Sequence, residues 1–176
     1  KLRQIVMRNG MGADNNAQFF ITCTVNLTDK DVISGAPARI VQNADLSFYI
    51  ADAATERIYE TYSMSVRGVG ENETKAFVAA FKSVKPTAPE FSKFVASGSK
   101  KIVAYYESQI DNLIKQSAAL AKSGEYESAL YVLSVVPDVC AGYDKVNDAA
   151  MDVYQKMIDA ESIKLLQKAK AVWAAG

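Results

Sequence analysis

Histidine is absent from this chain of 176 residues, and it has only two cysteines and four prolines. Without an imidazole there is no Ser-His-Asp or Cys-His catalytic device, no histidine pH switch, and none of the commoner zinc or non-haem iron sites. Two thiols cannot build a four-thiolate metal site either. Cys23 and Cys140 stand far apart in sequence and can form at most one disulfide; Cys23 falls on the apolar side of a strand pattern, and both read as small buried hydrophobes. An apolar run of about 18 residues, the least that spans a bilayer as a helix, is also missing, so no transmembrane segment is expected in this chain.

A surplus of one charge is missing too. Lys+Arg and Asp+Glu both number 20, and residues 1–90 and 91–176 each hold ten of either sign. Neither half has the basic excess that phosphate-backbone binding requires, so no nucleic-acid partner is expected. Lys1 stands where an initiator Met would, which reads as a chain trimmed at this end, by removal of an export signal or in expression.

What is present is apolar and patterned. Hydrophobic residues make up 49% of the chain, enough for a folded core in one domain or two small modules. In Phe19–Thr28 the residues Phe19, Ile21, Cys23, Val25 and Leu27 alternate with polar or outward positions, the period of a strand with one buried face. Leu46, Phe48 and Ile50 repeat the alternation, and Ile58, Tyr62, Met64 and Val66 repeat it around Glu60. Asp52–Glu56 is short enough to join the two as a hairpin. Leu2–Met7 is expected to add an edge strand, with polar turns at Asn9–Gly12 and Asp14–Asn16.

The period changes at Gly68-Val69-Gly70. Gly70 as N-cap with Glu73 three residues on predicts a helix to Val84 that lays an aromatic stripe of Phe77 and Phe81 on the sheet. The segment Lys85–Pro89 then stops it and marks the expected boundary between a sheet-plus-helix module, 1–85, and a helical bundle, 86–176. Beyond it, Phe91, Phe94, Val95, Ile102, Tyr106, Ile110, Leu113, Ser117 and Leu120 recur at steps of three or four, with a kink expected at Ser97-Gly98-Ser99. A second helix over Tyr126–Val136 ends at Pro137. A third runs from Asp138 towards Ala174, with its phase broken near Asp159–Ser162 and an amphipathic tail that docks on its own core or continues into further chain. The fold class is therefore α+β: a small antiparallel sheet packed by one helix, followed by a bundle of about three helices.

Two stretches carry resemblances. Gly124-Glu125-Tyr126-Glu127-Ser128-Ala129-Leu130 resembles the turn and second-helix start of a tetratricopeptide repeat, with Gly124 in the positive-φ position and Ala129 allowing close helix approach. It implies a helical hairpin of the kind used in protein–protein interaction. Gly68, Gly70, Ala76 and Ala80 resemble the G-x-G…A…A helix start of small bacterial envelope domains. These include the amino-terminal domain of flagellar assembly protein T and related outer-membrane lipoproteins. That resemblance implies a small α/β module in the periplasm or cell envelope, mostly without enzymatic activity.

A nucleotide cradle at Gly68-Val69-Gly70 lacks the third glycine and the βαβ unit, and Glu71 and Glu73 would repel phosphate. Asp45, Asp52, Glu56 and Glu60 could in principle do acid–base chemistry but form no motif. No catalytic residue, cofactor or metal is thus expected. Tyrosine is the favoured binding residue: Tyr106 and Tyr126 read as core, whereas Tyr59, Tyr105 and Trp173 are the candidate interaction surface. The expected function is that of a non-catalytic cell-envelope protein binding a protein partner or itself, in the periplasm or envelope, with the cytoplasm as the other compartment. The alternative is a small-molecule or glycan-binding module using the sheet and its tyrosines.

Overall fold

A computed structural model describes residues 1–8 and 18–175, and the expected turns at Asn9–Gly12 and Asp14–Asn16 lie outside the described residues. The element order is α1 (Leu2–Arg8), β1 (Phe19–Ile33), β2 (Arg39–Asp52), β3 (Arg57–Gly70), α2 (Glu73–Ser83), α3 (Pro89–Lys122), α4 (Tyr126–Ser134) and α5 (Tyr143–Ala175). The three strands form an antiparallel meander with β2 in the centre, and the fold class is α+β as expected. Leu2–Met7 is a correction: it belongs to helix α1, where Ile5 is fully buried. By internal packing the chain divides into two compact units, Lys1–Lys101 and Ile102–Gly176, so the first turns of α3 go with the sheet.

In the first unit the central strand carries the core. Ala44, Leu46, Phe48 and Ile50 are buried on one face of β2, while Asp45 and Ser47 bond Ser65 (2.6 Å) and Ser63 (2.9 Å) of β3 on the other. This is the one-sided burial usual for an antiparallel sheet, and it follows from the alternation in the sequence. Phe91 packs edge-on to Phe48 at 5.0 Å and to Tyr62 at 5.4 Å, and Phe94 meets Tyr62 at 6.1 Å. Aromatic edges against faces add attraction beyond the area they bury.

Helix α2 differs from the expectation in two respects. Its N-cap is Asn72, whose Oδ1 accepts from the Lys75 backbone N–H at 2.9 Å, and not Gly70. Its sheet-facing residues are the small Ala76 and Ala80; Phe77 is half-buried and Phe81 exposed, their rings stacked at 6.5 Å. The reason lies in β3. A side chain at Gly68 would strike the Ala76 carbonyl and the Ala80 backbone, and one at Gly70 would sit 2.6 Å from the Lys75 carbonyl carbon. Helix and strand approach too closely for an aromatic stripe to fit between them. Gly98 differs: α3 runs through it without the expected kink, and its missing side chain leaves room for the end of the Ile50 side chain.

The second unit is helical throughout. Helix α3 ends at Lys122, Gly124 takes φ +81°, and the Gly124 and Glu125 N–H groups donate to the Ala121 (3.1 Å) and Leu120 (3.0 Å) carbonyls, a complete Schellman cap. Ala121, Ala129 and Val153 form a small buried cluster, with Leu120, Tyr126 and Leu130 packed on it. Ser117 is buried and donates to the Ala129 carbonyl at 2.9 Å, which ties α3 to α4. Asp138 does not start the third helix. Turns occupy Asp138–Gly142, with Ala141 N–H donating to Glu107 Oε1 at 2.9 Å, before α5 begins at Tyr143 and continues without a break through Asp159–Ser162.

Candidate interaction surfaces

Of the three residues expected at an interaction surface, one is fully displayed. Trp173 is 87% exposed near the end of α5, and Tyr105 is half-buried with its ring edge-on to Tyr106 at 5.2 Å. Tyr59 is a correction: it is only 7% exposed, with the Arg57 guanidinium 5.9 Å from its ring centre. A register shift between Ile50 and Ala51 is the cause. Ile50 pairs with Glu60 but Ala51 pairs with Ile58, so the shift inserts Tyr59 as an extra residue and reverses the alternation behind it. Ile58, expected inside, is therefore exposed. Tyr106 is buried and Tyr126 half-buried, as expected of core residues.

The four carboxylates weighed for chemistry all have structural places. Asp52 is buried and closes the β2–β3 turn, accepting from the Ala54 N–H at 2.8 Å and the Thr55 hydroxyl at 3.0 Å. Glu56 occupies that turn at φ +54°, and Asp45 receives Ser65 on the open face of the sheet. Glu60 lies on the helix-covered face, where the Ser97 hydroxyl and Lys101 Nζ (3.0 Å) donate to its Oε2. The Ser97 hydrogen bond, assisted by Lys101, outweighs desolvation and holds the Glu60 carboxyl below its ordinary range. Among the described residues no cluster of three or more potential metal ligands occurs.

Both cysteines are free thiols. Burial pushes both upward, and the Glu107 and Asp138 carboxylates add to the effect at Cys140, so both stay protonated and weakly nucleophilic near neutral pH.

Each unit has an apolar feature that its own packing leaves open. In the first, a cavity of about 400 Å³ opens on the covered face of the sheet, with Cys23, Val25 and Phe48 as its floor and Leu2, Phe81 and Val84 as its walls. It exists because Ala76 and Ala80 hold α2 against β3, leaving the β1 side of that face uncovered; Val25 and Leu27 there are about half exposed. Lys1 and Arg3 also line the cavity, and Lys1 Nζ donates to the Val84 carbonyl at 2.8 Å.

In the second unit, α5 buries Val146 and Val153, but from Glu161 to Ala174 every residue is exposed. Ile163, Leu165, Leu166, Val172 and Trp173 all lie in this segment. The amphipathic tail, expected either to dock on its own core or to continue into further chain, does not dock and stands clear of that core. Beside it, a groove of about 340 Å³ with a mixed polar and apolar lining lies between the Gly124 turn and Met157, Glu161 and Lys164 of α5. Among the described residues no helix is long and apolar enough to cross a membrane. Compared with protein-family models, with curated proteins and with solved structures, the chain matches none.

Proposed function

We propose that this chain is a non-catalytic bacterial cell-envelope protein that acts through protein–protein assembly. The observation that carries this reading is the exposed end of α5, where large apolar side chains stand on a helix that its own unit leaves uncovered. Water-exposed apolar area of this extent is costly, and contiguous patches of it are typical of surfaces that meet a partner. The helical hairpin capped at Gly124, with its resemblance to a tetratricopeptide unit, supports the same role. The envelope location rests on the likeness of Gly68, Gly70, Ala76 and Ala80 to small envelope domains; here these four residues make the close contact of β3 with α2. Cross-linking and pull-down from the source cells, with fractionation, tests the reading. Capture of a defined partner or of the chain itself in the envelope fraction is expected, whereas a monomeric cytoplasmic protein that captures nothing overturns it.

A second reading, a small-molecule module, is favoured by the apolar cavity of the first unit, whose volume of about 400 Å³ is that of a ligand pocket. None of its lining residues is a tyrosine, so an apolar or amphiphilic ligand fits it better than a glycan stacked on aromatic rings. Displacement of a fluorescent fatty-acid probe by candidate ligands, lost in a Val25→Trp variant that fills the space, is the outcome this reading requires. A probe that binds both proteins alike removes it.

A further inference from the structure

Four exposed apolar residues on α5 recur at a strict seven-residue interval. Met151, Ile158, Leu165 and Val172 are 63%, 39%, 66% and 67% exposed. The positions that interleave with them at steps of four and three, Gln155, Ser162 and Ala169, are small or uncharged and also exposed. A seven-residue repeat on a helix of 3.6 residues per turn drifts by only about 20° per repeat, so these residues form one continuous seam. At 1.5 Å per residue it is about 30 Å long. The seam points away from the face that Val146 and Val153 bury, since residues 151 and 153 stand about 200° apart around the helix.

The charges of the same helix are segregated along its length. Residues 143–161 hold five carboxylates, those of Asp144, Asp148, Asp152, Asp159 and Glu161, against Lys145 and Lys156. Residues 162–175 hold Lys164, Lys168 and Lys170 and no carboxylate. A helix acidic in one half and basic in the other complements itself when reversed. It repels itself when aligned in parallel.

We infer that α5 pairs antiparallel with α5 of a second copy of this chain, along the seam from Met151 to Val172. This inference rests on the assembly reading and specifies its partner. In the register that interdigitates the seam, Ser162 lies opposite Leu165 of the second copy, Ala169 opposite Ile158, and Gln155 opposite Val172. Each of the first two layers sets a small residue against a large one, which lets the helices approach closely. The same register brings Glu161 beside Lys168 of the second copy, and by two-fold symmetry the contact occurs twice. Two independent features, the apolar spacing and the charge order, thus select the same orientation.

Sedimentation equilibrium of the full chain tests the pairing. The expected result is a reversible monomer–dimer equilibrium in the micromolar range, with Ile158→Asp/Leu165→Asp monomeric throughout. Both residues are exposed, so the variant is expected to keep the wild-type circular dichroism and thermal unfolding. The orientation is read from a charge exchange. Glu161→Lys and Lys168→Glu singly weaken the dimer about tenfold, because two like-charge contacts replace two attractive ones, and the combined exchange restores it. A wild-type chain that stays monomeric to 100 µM, a concentration on the order of a hundred times a micromolar Kd, overturns the inference. A dimer that the seam variant leaves intact, or single and double charge variants that weaken alike, does so as well. If the chain is monomeric yet captures a different protein in the pull-down, the self-pairing falls and the assembly reading stands; if it also captures nothing, both fall.

Discussion

Glu60 shows how much of one residue's behaviour depends on its surroundings. It sits on the apolar face of the sheet at 18% side-chain exposure, where a lone carboxylate would be expensive, and is retained because Ser97 and Lys101 of α3 donate to it. Lys101 is more than half exposed, so the ion pair contributes little and the Ser97 hydrogen bond is the larger effect. Glu60→Gln should therefore cost about 1–2 kcal/mol at pH 7, the usual worth of a hydrogen bond to a charged group in a partly wet site. The sign with pH follows from the depressed folded-state value. The stabilisation is fully present above the unfolded carboxyl range and disappears as pH falls through the lower folded value. Urea titrations of both proteins should give curves that differ at pH 7 and begin to draw together once the pH falls below the ordinary glutamate range, about pH 4. A constant gap at every pH would mean that Glu60 acts through shape and not charge.

At the scale of elements, small residues decide where helices meet the sheet, and two glycines predict opposite outcomes. Gly68 faces backbone atoms of α2, which cannot move aside, so Gly68→Ala must separate β3 from α2 and is expected to cost about 2–3 kcal/mol. Gly98 faces chiefly the flexible end of Ile50, and its next contacts, Glu60 Cβ and Ile50 Cβ, are at an acceptable 3.4 Å. Alanine there also gains about 1 kcal/mol of helix propensity, so Gly98→Ala should change stability by less than about 1 kcal/mol. Equal losses in chemical denaturation would refute this account of the contact.

The same elements show what was legible beforehand. Strict alternation in Phe19–Thr28 and around Phe48 announced the strands, and Gly124 announced the cap that closes α3, because both are local signals. The bulge beside Ile50 left no mark in composition, and with it went the placement of Tyr59 and Ile58. Gly98 looked like a kink and Phe81 like core, since close approach between two elements is a tertiary fact that neither sequence segment contains alone. Trp173 is exposed, whereas the cavity beneath α2 leaves no signal in the sequence, because it arises from where the helix stops covering the sheet.

For the whole molecule, the missing histidines and the balanced charge bear on association directly. Lysine, arginine, aspartate and glutamate side chains ordinarily hold their charges from about pH 5.5 to 9, and both thiols are pushed upward, so the side-chain charge is nearly constant across the physiological range. Segregated charge on α5 then acts as a fixed complement and not as a switch. The monomer–dimer constant should vary by less than about twofold between pH 6 and pH 8, since no imidazole titrates there. Added salt should weaken it at pH 7, because exposed pairs are screened within about 10 Å at 0.1 M ionic strength. Sedimentation runs between pH 6 and pH 8 and at two salt concentrations distinguish the cases. A transition centred near pH 6.5, or insensitivity to salt, would show that charge order on α5 does not set the pairing.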